Sequence, residues 1–337
     1  MKLDDTLMIL RPAVEVELQR VLAELLPTRQ PELRSMLAYA MGWEGEGAGA
    51  EAQGKRIRPV LLLLSASAAG GDWRKALPAA AAVEYVHNFS LIHDDIQDGS
   101  RLRRGRPTVW VKWGTAQAIN TGDVMFTLAH LAIYDLCRVL PAPLALDAAS
   151  VLDATCMALT EGQYLDLSYE QRSDLTQADY WPMIAGKTAA LLGCCAELGA
   201  LSAGAAPDKR AAFRRFAESL GLAFQVQDDW LGIWGDAART GKSTQSDLVS
   251  GKKTLPVLYA LERGGAFAAR WRRGPVQPEE VSELAQMLVD EGAQSYTAQT
   301  ADRLTAEALQ ALDEAAGSSA EAEALRSLAE TLLNRSN

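Results

Sequence analysis

The sequence predicts an all-α protein. Ala, Leu and Glu dominate its 337 residues, β-branched residues are sparse, and strand-like alternation is nearly absent. Apolar residues instead recur every three or four positions, the spacing of one helix face. Short linkers carrying Gly, Pro or Asp punctuate that pattern, as in Gly70-Gly71-Asp72, Pro141-Ala142-Pro143 and Ala205-Ala206-Pro207-Asp208.

The periodicity places helical segments near 3–26, 55–69, 76–98, 114–139, 145–169, 178–203, 209–234, 252–263, 277–291 and 294–335, the last broken near Gly317. The first is acidic and amphipathic from Asp4-Asp5 on, unlike a secretory signal. The third carries the apolar run Ala79 to Ile92, and 209–234 carries Phe213, Phe216, Leu220 and Phe224 at helical spacing. The least polar stretch, Thr188 to Ala206, is mostly Ala and Gly with Glu197 inside it, which reads as a core helix rather than a membrane span. Glu44 to Ala50 is small and polar enough for a mobile loop. No composition shift or fixed-period repeat marks a boundary, so the expectation is one domain over 1–337, a single large helical bundle around a deep central cavity.

The net charge of −10 argues against a general nucleic-acid binder. Cys137, Cys156, Cys194 and Cys195 lack metal-ligand spacing and read as ordinary thiols, which fits a reduced, cytoplasmic setting.

Two apolar helical segments end on paired carboxylates: Asp94-Asp95-Ile96-Gln97-Asp98 and Asp228-Asp229-Trp230-Leu231-Gly232. Positions i and i+4 share a helix face, so Asp94 and Asp98 point the same way with Asp95 beside them. Like charges so placed repel, and near apolar walls they need a cation. Carboxylate oxygens without Cys or clustered His favour Mg²⁺, held by one or two carboxylates plus substrate phosphates. A lone Asp-Asp pair is usually a solvated helix end, but two such pairs, each followed directly by a basic loop, are hard to read as decoration. One loop holds Arg101, Arg103, Arg104, Arg106 and Lys112; the other holds Arg239, Lys242, Lys252 and Lys253. Basic forks above a cavity walled by apolar helices suit a substrate with a diphosphate head and a hydrocarbon tail.

Seven short motifs in order over roughly 54–256 now carry a resemblance to the trans-isoprenyl diphosphate synthases. They are Gly54-Lys55-Arg56-Ile57-Arg58-Pro59, His87, Asp94 to Asp98 with Arg103-Arg104-Gly105, Gly162-Gln163-Tyr164-Leu165-Asp166, Gly186-Lys187-Thr188, Phe224 to Asp229, and Gly251-Lys252-Lys253-Thr254-Leu255-Pro256. The resemblance implies the all-α isoprenoid synthase fold, about three Mg²⁺ per site with substrate bound, and a homodimer formed through helices including the one near 114–139. It implies that Asp94 and Asp98 ligate two Mg²⁺ on an allylic diphosphate, with Asp95 supporting them. Asp228 then ligates a third, with Asp229 behind it and Asp166 facing the cluster. Gln163 and Gln225 lie near the reacting carbons, Thr188 near the developing cation, and Lys252 near the leaving diphosphate. Arg103, Lys187 and Lys242 contact the allylic diphosphate. Lys55, Arg58, His87 and Arg104 hold isopentenyl diphosphate without a metal. His87 and Gln163 could equally be satisfied core residues, and Lys187-Thr188 a helix-surface pair.

The chain departs from the family's plainest form at Gly232, where many members carry a third Asp, and at Gln245, where Gly is common. An acid follows at Asp236, about 10 Å further along the axis than Asp229. Two rivals remain: a class I terpene cyclase, against which Lys55, Arg58, His87 and Arg104 argue, and a non-catalytic partner subunit, against which the intact first motif argues. In the resembled family, bulky residues five and four positions before the first Asp form a floor that shortens products, and the resemblance assigns that place here to Phe89 and Ser90. Phe89 stands about 7.5 Å along the axis from Asp94. Their one-bulky, one-small pattern resembles geranylgeranyl (C20) synthases, with farnesyl (C15) next; the floor could also lie deeper, at Val86 or on the helix carrying Ala118 and Thr121.

Overall fold

A computed structural model describes residues 3–26, 30–235 and 246–333. The helices are α1 (Leu3–Leu25), α2 (Pro31–Ala40), α3 (Ala50–Gln53), α4 (Ile57–Ala68), α5 (Leu77–Gln97), α6 (Val109–Trp113), α7 (Thr115–Tyr134), α8 (Ala142–Tyr169), α9 (Gln177–Ile184), α10 (Ala190–Ser202), α11 (Pro207–Trp234), α12 (Ser246–Val249), α13 (Leu255–Arg263), α14 (Ala266–Trp271), α15 (Val281–Asp290), α16 (Ala293–Ala316) and α17 (Ala320–Leu333). Among the described residues the only strands are β1 (Leu102–Arg103) and β2 (Arg106–Pro107), paired antiparallel. Arg104 and Gly105 turn that hairpin at φ +52° and +74°, the positive angles a two-residue turn demands.

The expected helices are all present, and the last breaks at Gly317 as expected, at φ +61°. The periodicity missed α2, which starts on Pro31 and runs ten residues, and the shorter α3, α6, α12 and α14. None is long enough to repeat a 3.6-residue pattern convincingly. The expectation of a mobile loop at 44–50 is corrected. The Arg106 guanidinium donates to the carbonyls of Tyr39, Glu44 and Glu46 at 3.0, 2.7 and 2.9 Å, so one buried side chain ties that segment down.

The chain divides into two compact units, Met1–Asp153 with Cys195–Arg210 and Ser319–Leu325, and Ala154–Cys194 with Ala211–Ser318 and Arg326–Asn337. In the first, Leu61 to Leu64, Ala79 to Val83, Tyr85 and Met125 fill the core, and the Tyr85 hydroxyl donates to Leu18 O at 2.7 Å. In the second, Phe213, Phe216 and Leu220 are fully buried on the α11 face that the sequence spacing marked. Val257, Phe267, Leu284 and Leu288 join a second cluster there with Ile233.

By length and composition alone, two helical stretches could cross a membrane, Ala142–Tyr169 and Gln177–Ser202. The apolar window of the second is 72% buried inside the protein, as a core helix should be. Within that helix Ala185–Ala189 forms a π turn, an extra-residue bulge that carries Lys187 and Thr188. Two glycines let α8 approach the bulge. A Cβ on Gly162 would stand 2.1 Å from Lys187 N, and one on Gly186 2.5 Å from Ala158 O.

Candidate active site

The first acidic motif closes α5. Asp95 is 4% exposed and accepts from Arg103 Nε and Nη2 at 2.8 and 2.7 Å, whereas Asp94 is half-buried and Asp98 exposed. Burial pushes the Asp95 carboxyl up, and the Arg103 guanidinium opposes that. Arg103, expected on a diphosphate, is thus placed on the middle carboxylate of the motif.

Two helix turns back along α5 the basic side chains converge. Arg58 Nη1 lies 3.2 Å from His87 Nε2, and a guanidinium only donates, so that nitrogen is the acceptor. Burial, then the guanidinium of Arg58 and those of Arg104 and Arg103, push His87 well below the ordinary imidazole value. His87 is therefore neutral. Burial likewise lowers Arg58, whose Nε is buried without a hydrogen-bond partner, and Arg104, which donates to Ala52 O at 2.7 Å. Arg104 fills the space over Gly54, where a Cβ would stand 2.6 Å from its guanidinium. Lys55 is exposed beside them. A cluster of cations with an orphaned buried donor fits an anion, and it needs no metal.

Arg56, between Lys55 and Arg58, has a different task that the sequence reading did not assign. It adopts φ +49°, is 4% exposed, and bonds Glu15 Oε1 at 2.5 Å, Glu84 Oε1 at 2.8 Å and Met41 O at 3.0 Å. Burial alone would lower its pKa, but Glu84 and Glu15 outweigh it. Such strain persists only where partners over-determine the backbone. The spacing of the motif gave no way to separate this residue from its cationic neighbours.

Phe89 packs its ring on His93 and on Phe126 of α7, with centroids 4.8 and 5.0 Å apart, and Ser90 Oγ donates to His87 O. Val86, Ala118 and Thr121 are fully buried.

In the second unit, Asp228 is half-buried at the α11 end while Asp229 is 5% exposed. Asp229 Oδ2 accepts from the Tyr180 hydroxyl at 2.7 Å and from Leu255 N at 3.1 Å; Oδ1 accepts from Gln225 Nε2 at 3.0 Å. Burial pushes this carboxyl up to about 7 against those three donors. The Leu255 bond also satisfies an otherwise unpaired donor in the first turn of α13. Gln225 Oε1 in turn accepts from Thr188 Oγ1 at 2.9 Å. Lys187 is ion-paired to Asp166, so the π turn and α8 bring those two expected site residues together. Gln163 is half-buried on α8. Lys252 is largely exposed, 3.8 Å from Asp247, whereas its neighbour Lys253 donates to Glu170 O at 2.7 Å. Lys242, Asp236 and Gln245 lie outside the described residues.

The Gly232 departure has a local explanation. A Cβ there would stand 2.1 Å from Asp247 Oδ2, so a carboxyl from α12 crosses the place where many relatives carry a third acid. Sequence spacing could not reveal Asp247, because it comes from another part of the chain.

Among the described residues no three carboxylate, imidazole or thiolate groups meet as a preformed metal cage. Asp94 and Asp98 in the first unit, and Asp228 in the second, carry hard oxygens of the kind that bind Mg²⁺ together with substrate phosphate. The residues therefore fit the ion.

Residues 48–288 match the polyprenyl synthetase family model. The chain is 40% identical over 305 residues to a geranylgeranyl diphosphate synthase of Mycobacterium tuberculosis, covering 88% of this chain and 85% of that one. It is 42% identical over 251 residues to a (2E,6E)-farnesyl diphosphate synthase of the same species, covering 74% and 69%. Among solved structures it superposes on a polyprenyl synthetase from Streptomyces coelicolor with TM-score 0.87 and 34% identity, covering 98% and 100%. It also superposes on a Caulobacter crescentus polyprenyl synthase complexed with calcium and isoprenyl diphosphate, with TM-score 0.81 and 30% identity, covering 99% and 98%. With the motifs in register, the all-α fold shared and the match spanning well over half the sequence, the chain belongs to the polyprenyl synthetase family and is a prenyltransferase of the isoprenyl diphosphate synthase type.

Proposed function

We propose that this enzyme condenses an allylic diphosphate with isopentenyl diphosphate to a short-chain trans-prenyl diphosphate, geranylgeranyl (C20) ahead of farnesyl (C15). The observation that carries this reading is the cluster of Arg58, neutral His87 and Arg104 beside Lys55, a set of basic and imidazole groups with no acidic-motif carboxylate hydrogen-bonded into it among the contacts described. An enzyme that only ionises one diphosphate has no use for a second anion pocket. The single-domain reading over 1–337 belongs to this proposal.

Asp94, Asp98, Asp228 and Asp166 are the groups that hold the allylic head and its ions. Mg²⁺, when bound, neutralises the diphosphate and stabilises the charge that builds as the C–O bond ionises. Lys187, Lys242, Lys252 and Arg103 add donors to that leaving group. Lys55, Arg58, His87 and Arg104 keep isopentenyl diphosphate in place so that its double bond meets the allylic carbon. Thr188, Gln163 and Gln225 face the reacting carbons, and apolar walls keep water from the cation. The proton released at the end leaves with the diphosphate, whose oxygens stand next to the carbon that loses it.

Phe89, braced by Phe126 and His93, supports the aromatic floor proposed for the product tail. Phe89→Ala is expected to lengthen the products and Ser90→Phe to shorten them, read by chromatography of the dephosphorylated alcohols. Identical product distributions in both variants would sink the floor. Ile119, Leu131 and Tyr134 of α7 are exposed apolar residues, which supports a homodimer through that helix. Free cysteines among the described residues fit the cytoplasmic reading.

The purified chain, given an allylic starter, isopentenyl diphosphate and Mg²⁺, should release diphosphate and form linear products only when isopentenyl diphosphate is present. A cyclic hydrocarbon formed from the allylic substrate alone would overturn the reading.

A further inference from the structure

Four side chains of the second unit form one hydrogen-bonded line whose direction is fixed from its buried end. Leu255 N can only donate, and it donates to Asp229 Oδ2. Tyr180, 1% exposed, donates to the same oxygen. On its other oxygen, Asp229 Oδ1 takes a hydrogen from Gln225 Nε2 at 3.0 Å, so Gln225 offers it the amide nitrogen. The Gln225 carbonyl is thereby turned outward, and it takes the Thr188 hydrogen. Thr188 sits in the π turn, half-buried, with its one hydrogen committed. What its oxygen has left to offer is lone pairs.

We propose that Tyr180 and Asp229 are positioning residues for prenyl transfer: they fix the amide orientation of Gln225, so that Thr188 meets the reacting carbons with its lone pairs and not with its hydrogen. This rests on the reading that Thr188 lies beside the allylic cation. A hydroxyl oxygen with its lone pairs forward stabilises positive charge, whereas a hydroxyl hydrogen forward opposes it. Because the line is already ordered, no reorientation is needed when the charge appears.

The chemistry of an isosteric change makes the idea testable. Asp229→Asn keeps an oxygen for Leu255 N and Tyr180 but turns an amide NH₂ toward Gln225. Gln225 must then flip, and Thr188 must accept from it, with its hydrogen pointing outward. Every hydrogen bond survives and only the direction reverses. Tyr180→Phe keeps every atom of Asp229 and only loosens the end of the line.

The experiment is a double-mutant cycle in the holoenzyme with saturating Mg²⁺, measuring kcat and both KM values for Thr188→Val, Asp229→Asn, Tyr180→Phe and the two pairs containing Thr188→Val. Asp229→Asn should lower kcat on the order of ten- to a hundredfold. Tyr180→Phe should lower it less, with KM for both diphosphates and the thermal midpoint near those of the parent. In the Thr188→Val background both changes should cost almost nothing more, because the oxygen they orient is gone. If Asp229→Asn or Tyr180→Phe costs as much in that background as in the parent, the positioning role is wrong although Thr188 still faces the cation. If Thr188→Val itself turns over normally, the placement of Thr188 fails and the positioning role with it.

Discussion

In the first acidic motif the buried carboxylate, Asp95, is held by a guanidinium; in the second, Asp229 is held by a phenol, an amide and a backbone N–H. The flanking residues differ too. Asp98 stands exposed one turn beyond Asp94, whereas Gly232, one turn beyond Asp228, makes room for the carboxyl of Asp247. Yet in both the first aspartate stays half-buried while the second is nearly inaccessible. An Asp-Asp pair at a helix end thus divides its labour on the proposed reading: the half-buried first carboxylate meets the ligand, and the buried second one anchors the neighbouring segment. The nature of the anchor decides how that anchor fails. A carboxylate balanced by a cation loses its countercharge when the partner is removed, while one balanced by neutral donors loses only a hydrogen bond.

The largest effect expected is on turnover. Asp94→Asn and Asp228→Asn should each lower kcat by roughly three orders of magnitude or more in Mg²⁺ while leaving the helical fold intact, because a ligand of the ion is lost and repulsion in the apo protein is relieved. Near-normal rates in either variant, by steady-state kinetics, would remove that residue from the metal set.

Stability separates the two anchors. Arg103→Met leaves Asp95 buried without its cation and should cost about 2 kcal/mol, discounted because Arg103 is itself partly exposed. Tyr180→Phe should cost about 1 kcal/mol, the scale of one neutral hydrogen bond. The pH dependence should follow. Burial raises Asp95, so without Arg103 it prefers the protonated form in the folded state. The deficit of Arg103→Met is therefore largest near neutrality and shrinks as pH falls through the raised carboxyl value. Denaturant melts at several pH values would show it; a deficit that grows in acid would mean the Arg103–Asp95 pair is not the cause.

Substrate kinetics test the division between pockets. Arg58→Ala or His87→Ala should raise the KM for isopentenyl diphosphate by about tenfold or more and the allylic KM little, with Lys187→Ala doing the reverse, since a charged hydrogen bond is worth about 1.5–3 kcal/mol. Equal effects on both substrates would make these residues structural.

The smallest effect concerns Gly232. A methyl there meets only the end of the Asp247 side chain, which can turn aside, so Gly232→Ala should cost under about 1 kcal/mol. Gly162→Ala meets the backbone of Lys187 and should cost about 1–3 kcal/mol. Thermal melts that rank the two the other way would mean Asp247 is held more rigidly than the α8–π turn contact.

Much of this was legible from spacing. Helix periodicity located the long helices and the buried face of α11, because 3.6-residue repetition accumulates over several turns. The acidic pairs and the basic cluster were legible as motifs. What spacing could not resolve was which of several adjacent cations does which task. Arg103 holds Asp95, Arg104 lies over Gly54, and Arg106 ties the 39–46 carbonyls, although all three stand in one short basic run. Arg56 likewise looks no different from Lys55 or Arg58 until its glutamates are seen. Tyr180 and Asp247 were invisible for a related reason: neither meets its partner at a helical spacing, Tyr180 reaching Asp229 49 residues on, and a lone Tyr or Asp carries no pattern. The π turn at Lys187-Thr188 depends on packing against Gly162, which no local propensity encodes.

The division of labour within an acidic pair is tested most directly by calorimetric titration of an unreactive allylic diphosphate analogue into the Asp94→Asn and Asp95→Asn variants, with and without Mg²⁺. The expected result is that the parent binds tightly only with Mg²⁺, that Asp94→Asn loses this dependence along with its affinity, and that Asp95→Asn keeps it. Loss of Mg²⁺-dependent binding in Asp95→Asn with retention in Asp94→Asn would contradict it.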